Sequence, residues 1–145
     1  MRVLITGGSR GIGAACVRAF CERGHRVAFF YRTAGAETVE QLERESKNHT
    51  ALRVVFGMVN DKDITAVLAM MPTNAVYYFT QASIKRAMPA DELMAKALPY
   101  GLRGNCYPTV QDALKTAKAD SAASDFIFVG GSCFIVADLL TTLEK

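Results

Sequence analysis

Residues 3–13 read VLITGGSRGIG, an apolar run that passes directly into a glycine-rich loop. A buried strand that enters such a loop, and then a helical pattern, forms the pyrophosphate site of dinucleotide-binding folds. Gly7 allows the tight turn, Gly11 lets phosphates approach the backbone, and Gly13 lets the helix pack on the strand. The free N–H groups and the positive dipole end of that helix attract the anion. This stretch therefore predicts a nucleotide-binding α/β fold.

The rest of the chain alternates between strand and helix patterns. Apolar runs predict six strands, at residues 3–6, 26–31, 52–57, 75–80, 104–107 and 125–130. Their continuous apolar character is typical of parallel strands that are covered on both faces. Helical periodicity fills the gaps, with crossovers of about twenty residues. These features predict a three-layer, doubly wound, Rossmann-like parallel sheet of about six strands in the order 3-2-1-4-5-6.

This order has consequences for the ligand site and for assembly. It places a ligand crevice between strands 1 and 4, at their carboxyl ends. It also leaves strand 3, residues 52–57, at an edge of the sheet, where it is able to pair with another chain. The whole chain, residues 1–145, is predicted to form one domain, and we expect a monomer.

Local signals predict where the helices begin and end. Pro72 ends the third helix and Pro89 opens the fourth near its first turn. Thr109 is a candidate N-cap of the fifth helix. Asp61 and Asp63 precede the third helix, where a capping role is favoured over a role in ligand binding. The sixth helix is predicted from residue 133 to about residue 143.

Composition excludes several classes of protein. Half of the 145 residues are hydrophobic, 21% are charged, and the net charge is +3. These values are typical of a soluble globular protein, and the charge is too small and too scattered to indicate nucleic-acid binding. The most apolar stretch, residues 126–137, is bounded by Asp125 and Asp138 and is too short to cross a membrane. No secretory leader is evident, so a cytoplasmic location is expected.

The cysteines and histidines do not predict a metal site. Four cysteines and two histidines occur, without a C-x-x-C pair or another ligand spacing. Cys133 follows Gly130-Gly131-Ser132 at a predicted helix start, a position where reactive thiols occur. Burial as a small apolar side chain is the favoured interpretation of Cys133.

Residues 1 to about 50 resemble the short-chain dehydrogenase/reductases, especially the ketoacyl acyl-carrier-protein reductases. The resemblance rests on residues 6–13 and on residues 29–33, FFYRT. It implies phosphate binding by residues 9–12, and the basic residues Arg10 and Arg32 imply NADP(H) rather than NAD(H). Two guanidinium groups can bind a phosphate dianion, although solvated surface arginines remain the alternative. The implied cofactor-binding residues are Gly7, Ser9, Arg10, Gly11, Ile12, Gly13 and Arg32.

The catalytic residues of that family are absent. The family places a lysine four residues after its catalytic tyrosine, and none of the five tyrosines here has a lysine at that spacing. The turn after strand 4, which reads Asn-Asn-Ala-Gly in the family, is TQAS at residues 80–83. Without a proton donor, hydride transfer to a carbonyl has no partner. No catalytic residue is assigned, and we expect no reductase activity.

The remainder, from about residue 53 to residue 145, resembles the C-terminal domain of folylpolyglutamate synthase/dihydrofolate synthase, a Mur ligase relative. The resemblance is carried by residues 55–64, 78–82, 85–89, 112–114 and 125–132. In such ligases this domain closes over ATP and the amino-acid substrate, while the phosphate-binding loop lies in a separate preceding domain. No G-x-x-x-x-G-K-[ST] sequence occurs in this chain. ATP-dependent ligation by these residues alone is therefore excluded.

The two resemblances predict a chimera, with a reductase-like segment at residues 1–51 and a ligase-like segment at residues 52–145. The leading hypothesis is an engineered, non-catalytic protein that retains weak NADP(H) binding. Two alternatives stay open: a structural scaffold that binds no nucleotide, and a residual NADPH-dependent oxidoreductase. Near the predicted crevice, Thr80, Gln81, Lys85 and Arg86 are either ligand contacts or ordinary loop and surface residues.

Overall fold

A computed structural model describes residues 2–6, 18–19, 22–23, 26–30, 51–61 and 63–143. The strands are β1 (Arg2–Thr6), β2 (Arg26–Phe30), β3 (Leu52–Gly57), β4 (Ala75–Phe79), β5 (Arg103–Cys106) and β6 (Phe126–Gly131). The helices of residues 63–143 are α1 (Thr65–Met70), α2 (Ala90–Ala97), α3 (Val110–Asp120) and α4 (Cys133–Leu143), and a 3-10 turn (Leu98–Tyr100) follows α2. Within the described ranges, no helix is long and apolar enough to cross a membrane.

All strands pair in parallel in one sheet of order β2-β1-β6-β3-β4-β5. The predicted α/β class with a parallel sheet is confirmed, and the predicted order 3-2-1-4-5-6 is wrong. The difference is the place of β6, which lies inside the sheet, where Phe128 pairs with Leu4 on one side and Val54 on the other. Because residues 126–130 are buried, this strand is suited to a central position. If the four strands β3 to β6 are numbered 1 to 4, their order in the sheet is 3-2-1-4. Strands β1 and β2 extend the sheet beyond β6.

The observed order corrects two further predictions. The crevice predicted between β1 and β4 is wrong, because β6 and β3 separate those strands. Strand β3 is not an edge strand, since β6 and β4 pair with it on either side. Its backbone groups are therefore satisfied within the sheet, and the predicted pairing of β3 with another chain is wrong.

Helices cover both faces of the central strands. On one face, α1 and α2 pack against a core that includes Val54, Phe56, Tyr77, Phe79 and Phe128. On the other face, α3 and α4 pack against alternate residues of the same strands, which are Val55, Tyr78, Ile127 and Val129. Successive residues of a strand point to opposite faces, so strands covered by two helical layers are apolar at most positions.

Several local signals are confirmed at the helix ends. The Thr109 hydroxyl accepts a hydrogen bond from the Asp112 backbone N–H at 3.1 Å and so caps α3. The N-cap position of α1 is Ile64 rather than an aspartate, but the Asp63 carboxylate accepts a hydrogen bond from the Thr65 backbone N–H at 2.9 Å, and this bond lowers the pKa of Asp63. Asp61 pairs with Arg86 instead. Pro89 directly precedes α2, as predicted. The expectation that Cys133 is buried is wrong, because it is the exposed first residue of α4.

Tyr77 is a buried core residue whose replacement tests the α1/α2 face. Its hydroxyl donates to the Pro72 carbonyl at 2.6 Å, and burial raises its pKa well above the ordinary value. Unfolded tyrosine ionises near pH 10, whereas folded Tyr77 stays neutral. Its contribution to stability is therefore fully present below about pH 10 and is lost as pH rises toward the folded pKa.

We expect Tyr77→Phe to lower the free energy of unfolding by about 1–2 kcal/mol at pH 8, because the Pro72 carbonyl loses its buried donor. The variant should also lose less stability than the wild type between pH 9 and 11. Urea unfolding across that range measures both effects, with the half-buried Tyr100→Phe as control. An unchanged alkaline slope in Tyr77→Phe would contradict the assignment.

Candidate functional site

The carboxyl ends of β3 and β6 lie at a topological switch point of the sheet. These strands are neighbours, and the chain leaves β3 toward α1 on one face and β6 toward α4 on the other. In open α/β sheets, ligands bind where neighbouring strands diverge in this way. The candidate site is therefore the crevice between the ends of β3 and β6.

The β6 side of the crevice leads into the N-terminus of α4. Gly131 is the register partner of Gly57, and the Ser132 N–H donates to the Gly57 carbonyl at 2.9 Å. The Ser132 hydroxyl accepts from the Phe134 N–H at 3.2 Å and caps the helix. The partial positive charge of this helix end is consequently directed at the crevice, where it favours an anionic group.

A loop after β4 borders the crevice on the β3 side. We call residues 83–88 the strap. Val59 and Ala87 form an antiparallel bridge. The Asn60 N–H donates to the Arg86 carbonyl at 3.0 Å, and the Met88 N–H donates to the Met58 carbonyl at 2.9 Å. The strap is thus paired with the chain that leaves β3.

Arg86 links the strap to both walls of the crevice. Its Nη1 donates to the Asp61 carboxylate at 3.1 Å, and its guanidinium lies 5.0 Å from the centroid of the Phe134 ring. Phe134 belongs to the first turn of α4, so a cation lies beside the positive end of that helix. Lys85, the preceding residue, is exposed. The arrangement is suited to binding a carboxylate or phosphate.

The two residues directly after β4 have different surroundings. Gln81 Oε1 accepts from the Ala90 N–H at 3.0 Å and so satisfies the first turn of α2. This observation favours the loop-stabilising alternative for Gln81. Thr80 is fully buried, and its hydroxyl has no hydrogen-bond partner within the described residues.

The predicted NADP(H) residues lie outside the described residues, and the assignment stays a prediction. These residues are Gly7, Ser9, Arg10, Gly11, Ile12, Gly13 and Arg32. The strand that precedes the loop is present as β1, which ends at Thr6.

Two residues near the crevice were missed by sequence reasoning. Phe134 stacks under Arg86, and the Asp138 carboxylate accepts two hydrogen bonds from Ser83, one from the N–H and one from the hydroxyl, each 2.7 Å long. The sequence marks Asp138 only as an acidic residue directly after the apolar stretch 126–137. Its partner lies 55 residues away in the chain, so the pairing could not be inferred without the sheet order.

The chain matches the Mur ligase, glutamate ligase domain family over residues 32–133. It belongs to this family. The fold is similar to that of E. coli FolC in complex with DHPP and ADP, with a TM-score of 0.65 and 25% identity over 79% of this chain and 28% of that one. It is also similar to the Yersinia pestis bifunctional folylpolyglutamate synthase/dihydrofolate synthase complexed with AMPPNP and Mn ion, with a TM-score of 0.62 and 24% identity over 75% of this chain and 25% of that one.

Curated proteins of two kinds match the chain. A "Probable bifunctional folylpolyglutamate synthase/dihydropteroate synthase" of Halobacterium salinarum is 34% identical over 110 residues, which is 74% of this chain and 13% of that protein. The L-fucose dehydrogenase of Rattus norvegicus is 58% identical over 40 residues, which is 27% of this chain and 15% of that protein. The glutamate ligase domain therefore spans a small part of the proteins that it resembles.

These matches correct the functional hypothesis. The expectation of an engineered protein without native catalysis is wrong, because the chain is a member of a family of ligase domains. The expectation that it is not an enzyme is wrong for the same reason. The two alternative hypotheses, a structural scaffold and a residual oxidoreductase, fit these matches no better. The ligase resemblance is confirmed, and the family match begins at residue 32, inside the segment interpreted as reductase-like. The dehydrogenase match supports a short reductase-like segment but not a chimera.

The Yersinia structure contains a manganese ion. Among residues 51–61 and 63–143 and the shorter described ranges, no three His, Cys, Asp or Glu side chains are grouped closely enough to hold one.

Proposed function

We propose that this chain acts as the glutamate ligase domain of a folylpolyglutamate synthase-like enzyme, which joins L-glutamate to a folate-type acceptor at the expense of ATP. The family match over residues 32–133 and the named activity of the halobacterial relative support this proposal. The observation that carries it is the crevice between β3 and β6, where Arg86 lies beside the capped N-terminus of α4.

The crevice supplies binding and orientation in this proposal. L-glutamate is an anion, and the N-terminus of α4 and the Arg86 guanidinium both attract a carboxylate. Gly131 has a φ of 107° and lies against β3, and this conformation turns the chain into α4. The sequence contains no G-x-x-x-x-G-K-[ST] loop, so the proposal assigns the ATP phosphates to a separate domain. A site shared between domains holds its substrates in the orientation that the reaction requires.

A titration of the protein with L-glutamate, followed by amide NMR at constant ionic strength, tests the proposal. We expect saturable shifts at Ser132, Phe134 and Arg86. Arg86→Gln should weaken binding by about 10-fold, because a charge-assisted contact is lost. Arg103→Gln removes an equally exposed arginine from β5 and should leave the affinity unchanged.

L-glutamine and potassium glutarate serve as ligand controls. The first lacks the side-chain charge, and the second retains both carboxylates without the amino group. No shift at the crevice up to tens of millimolar L-glutamate, or equal weakening by Arg86→Gln and Arg103→Gln, would contradict the proposal.

A further inference from the structure

The strap crosses the carboxyl edge of the sheet from one helical layer to the other. Ile84 and Ala87 pack against the core beneath α3 and α4, whereas Met88 belongs to the core beneath α1 and α2. Between these points Ala87 is bridged to Val59, two residues after the end of β3. The strap therefore lies over the end of β3 and borders the crevice.

The two sides of the strap are held by different kinds of contact. At one side, Met88 is 1% exposed and its N–H donates to the Met58 carbonyl. At the other side, Ser83 is exposed and is held by its two hydrogen bonds to the Asp138 carboxylate. The ion pair between Arg86 and Asp61 is also exposed, with 57% and 52% of the side chains accessible.

These contacts differ in strength and in what breaking them requires. Exposed ion pairs contribute little to stability, and hydrogen bonds at the surface are readily replaced by water. Withdrawing Met88 would open a cavity in the core, whereas Ile84 is only partly buried and loses less apolar contact when it is withdrawn. Local openings follow the weakest set of contacts and leave the rest of the structure folded.

We propose that the strap is a hinged lid, which opens at Ser83–Arg86 while Met88 keeps the other side fixed, and that the Asp138 carboxylate is its latch. The open form frees the Asn60 backbone N–H from the Arg86 carbonyl and widens access to the crevice. The opening is a property of the unliganded protein. It is measured without glutamate, so its failure leaves the proposed function standing.

Native-state hydrogen exchange tests the hinge in the wild-type protein. The Ser83 and Asn60 amides report on the latched side, since they donate to Asp138 and to the Arg86 carbonyl. The Met88 and Thr80 amides are references, since they donate to the Met58 and Phe56 carbonyls. We expect the first pair to exchange at least about 10-fold faster than the references, at rates that low urea does not change.

Removal of the latch provides the second test. Asp138→Ala should accelerate exchange at Asn60 by about 10-fold or more, because two charge-assisted hydrogen bonds are lost. Asn60 is the decisive reporter, since its own hydrogen bond does not involve Asp138. The reference amides should be unchanged. Glu92→Ala is the matched control, because it removes an equal charge from the exposed surface of α2.

Three results would overturn the proposal. One is equal, urea-dependent exchange of all four amides in the wild type, which would mean that the strap opens only with global unfolding. Another is uniform acceleration of all four amides in Asp138→Ala. The third is acceleration at Asn60 by Glu92→Ala as large as that by Asp138→Ala. If Asp138→Ala fails to fold, the urea dependence in the wild type decides the matter alone.

Discussion

Replacing Arg53 with methionine is expected to lower the free energy of unfolding by about 3–5 kcal/mol. Arg53 lies on β3, and its Nε donates to the Asp125 carboxylate at 3.0 Å. Its two other nitrogens donate to the Tyr78 hydroxyl at 2.8 Å and to the Asp120 carbonyl at 2.6 Å. One side chain thus joins β3, β4, the end of α3 and the start of β6.

The large expected cost of Arg53→Met follows from the burial of Asp125, the ion-pair partner of Arg53. Asp125 retains 3% of its side-chain exposure and Arg53 retains 14%. Methionine fills much of the same volume but donates no hydrogen bond, so the Asp125 carboxylate would be left buried without its cation. Removing one partner of a buried pair is costly for this reason, even where the intact pair contributes little. The Asp125 carboxylate would keep the Ala122 N–H, at 3.0 Å, as a hydrogen-bond donor.

Arg86→Met is the matched control for this prediction. The Arg86–Asp61 pair has nearly the same length, 3.1 Å, but both side chains are more than half exposed. We expect a cost of about 0–1 kcal/mol, because water replaces the lost partner. Urea unfolding followed by circular dichroism measures both variants. Equal costs for Arg53→Met and Arg86→Met would show that burial does not determine the effect.

A double variant separates the lost contact from the charge left behind. Adding Asp125→Asn to Arg53→Met removes the buried charge that methionine leaves unpaired. We therefore expect the double variant to be more stable than Arg53→Met alone, although less stable than the wild type. A double variant that is less stable than Arg53→Met would assign the cost to packing instead.

The ends of the described helices were predicted well because their causes are local. Thr109 caps α3 through an N–H three residues away, and Asp63 accepts from an N–H two residues away. Proline at position 89 restricts its own backbone and so fixes the start of α2. Signals of this kind are contained in a few consecutive residues, so they can be read without knowledge of the fold.

The strand order could not be read in the same way. Strand β6 is apolar throughout, as is β4, and β3 is apolar except for Arg53. Nothing within residues 126–131 specifies which strands flank β6. The rule that ligands bind where strand order reverses led to a crevice between strands 1 and 4. The order 3-2-1-4 does occur, but only when β3 is counted as the first strand. The same rule then places the ligand site between β3 and β6.

The error about catalysis has a different cause. The absence of a tyrosine–lysine pair and of a phosphate-binding loop was interpreted as the absence of enzymatic function. An active site that is completed by another domain need not be complete within any one of them. Absent reductase residues exclude reductase chemistry alone, and they carry no information about a ligase domain. The contacts of Asp138 and Asp125 were missed because their partners are 55 and 72 residues distant.

Gly131→Ala is expected to be the most destabilising single-methyl substitution at the crevice. Gly131 has a φ of 107°, a conformation that side chains rarely adopt. A Cβ there would overlap the Gly57 carbonyl oxygen and approach the Phe56 ring. Both obstacles belong to β3, so β6 would have to move away from its neighbour. Backbone strain and overpacking together predict a cost of about 3–5 kcal/mol.

Gly101→Ala separates strain from steric overlap. Gly101 also has a positive φ, 77°, but a Cβ there would lie 3.4 Å from the Thr73 side chain, which is ordinary contact. We expect this control to cost about 1–2 kcal/mol, from backbone strain alone. Urea unfolding of both variants gives the difference, which measures how closely β6 approaches β3. Equal costs for the two variants would mean that the ends of β3 and β6 are free to separate. The Ser132 cap and α4 would then have no fixed position relative to a ligand.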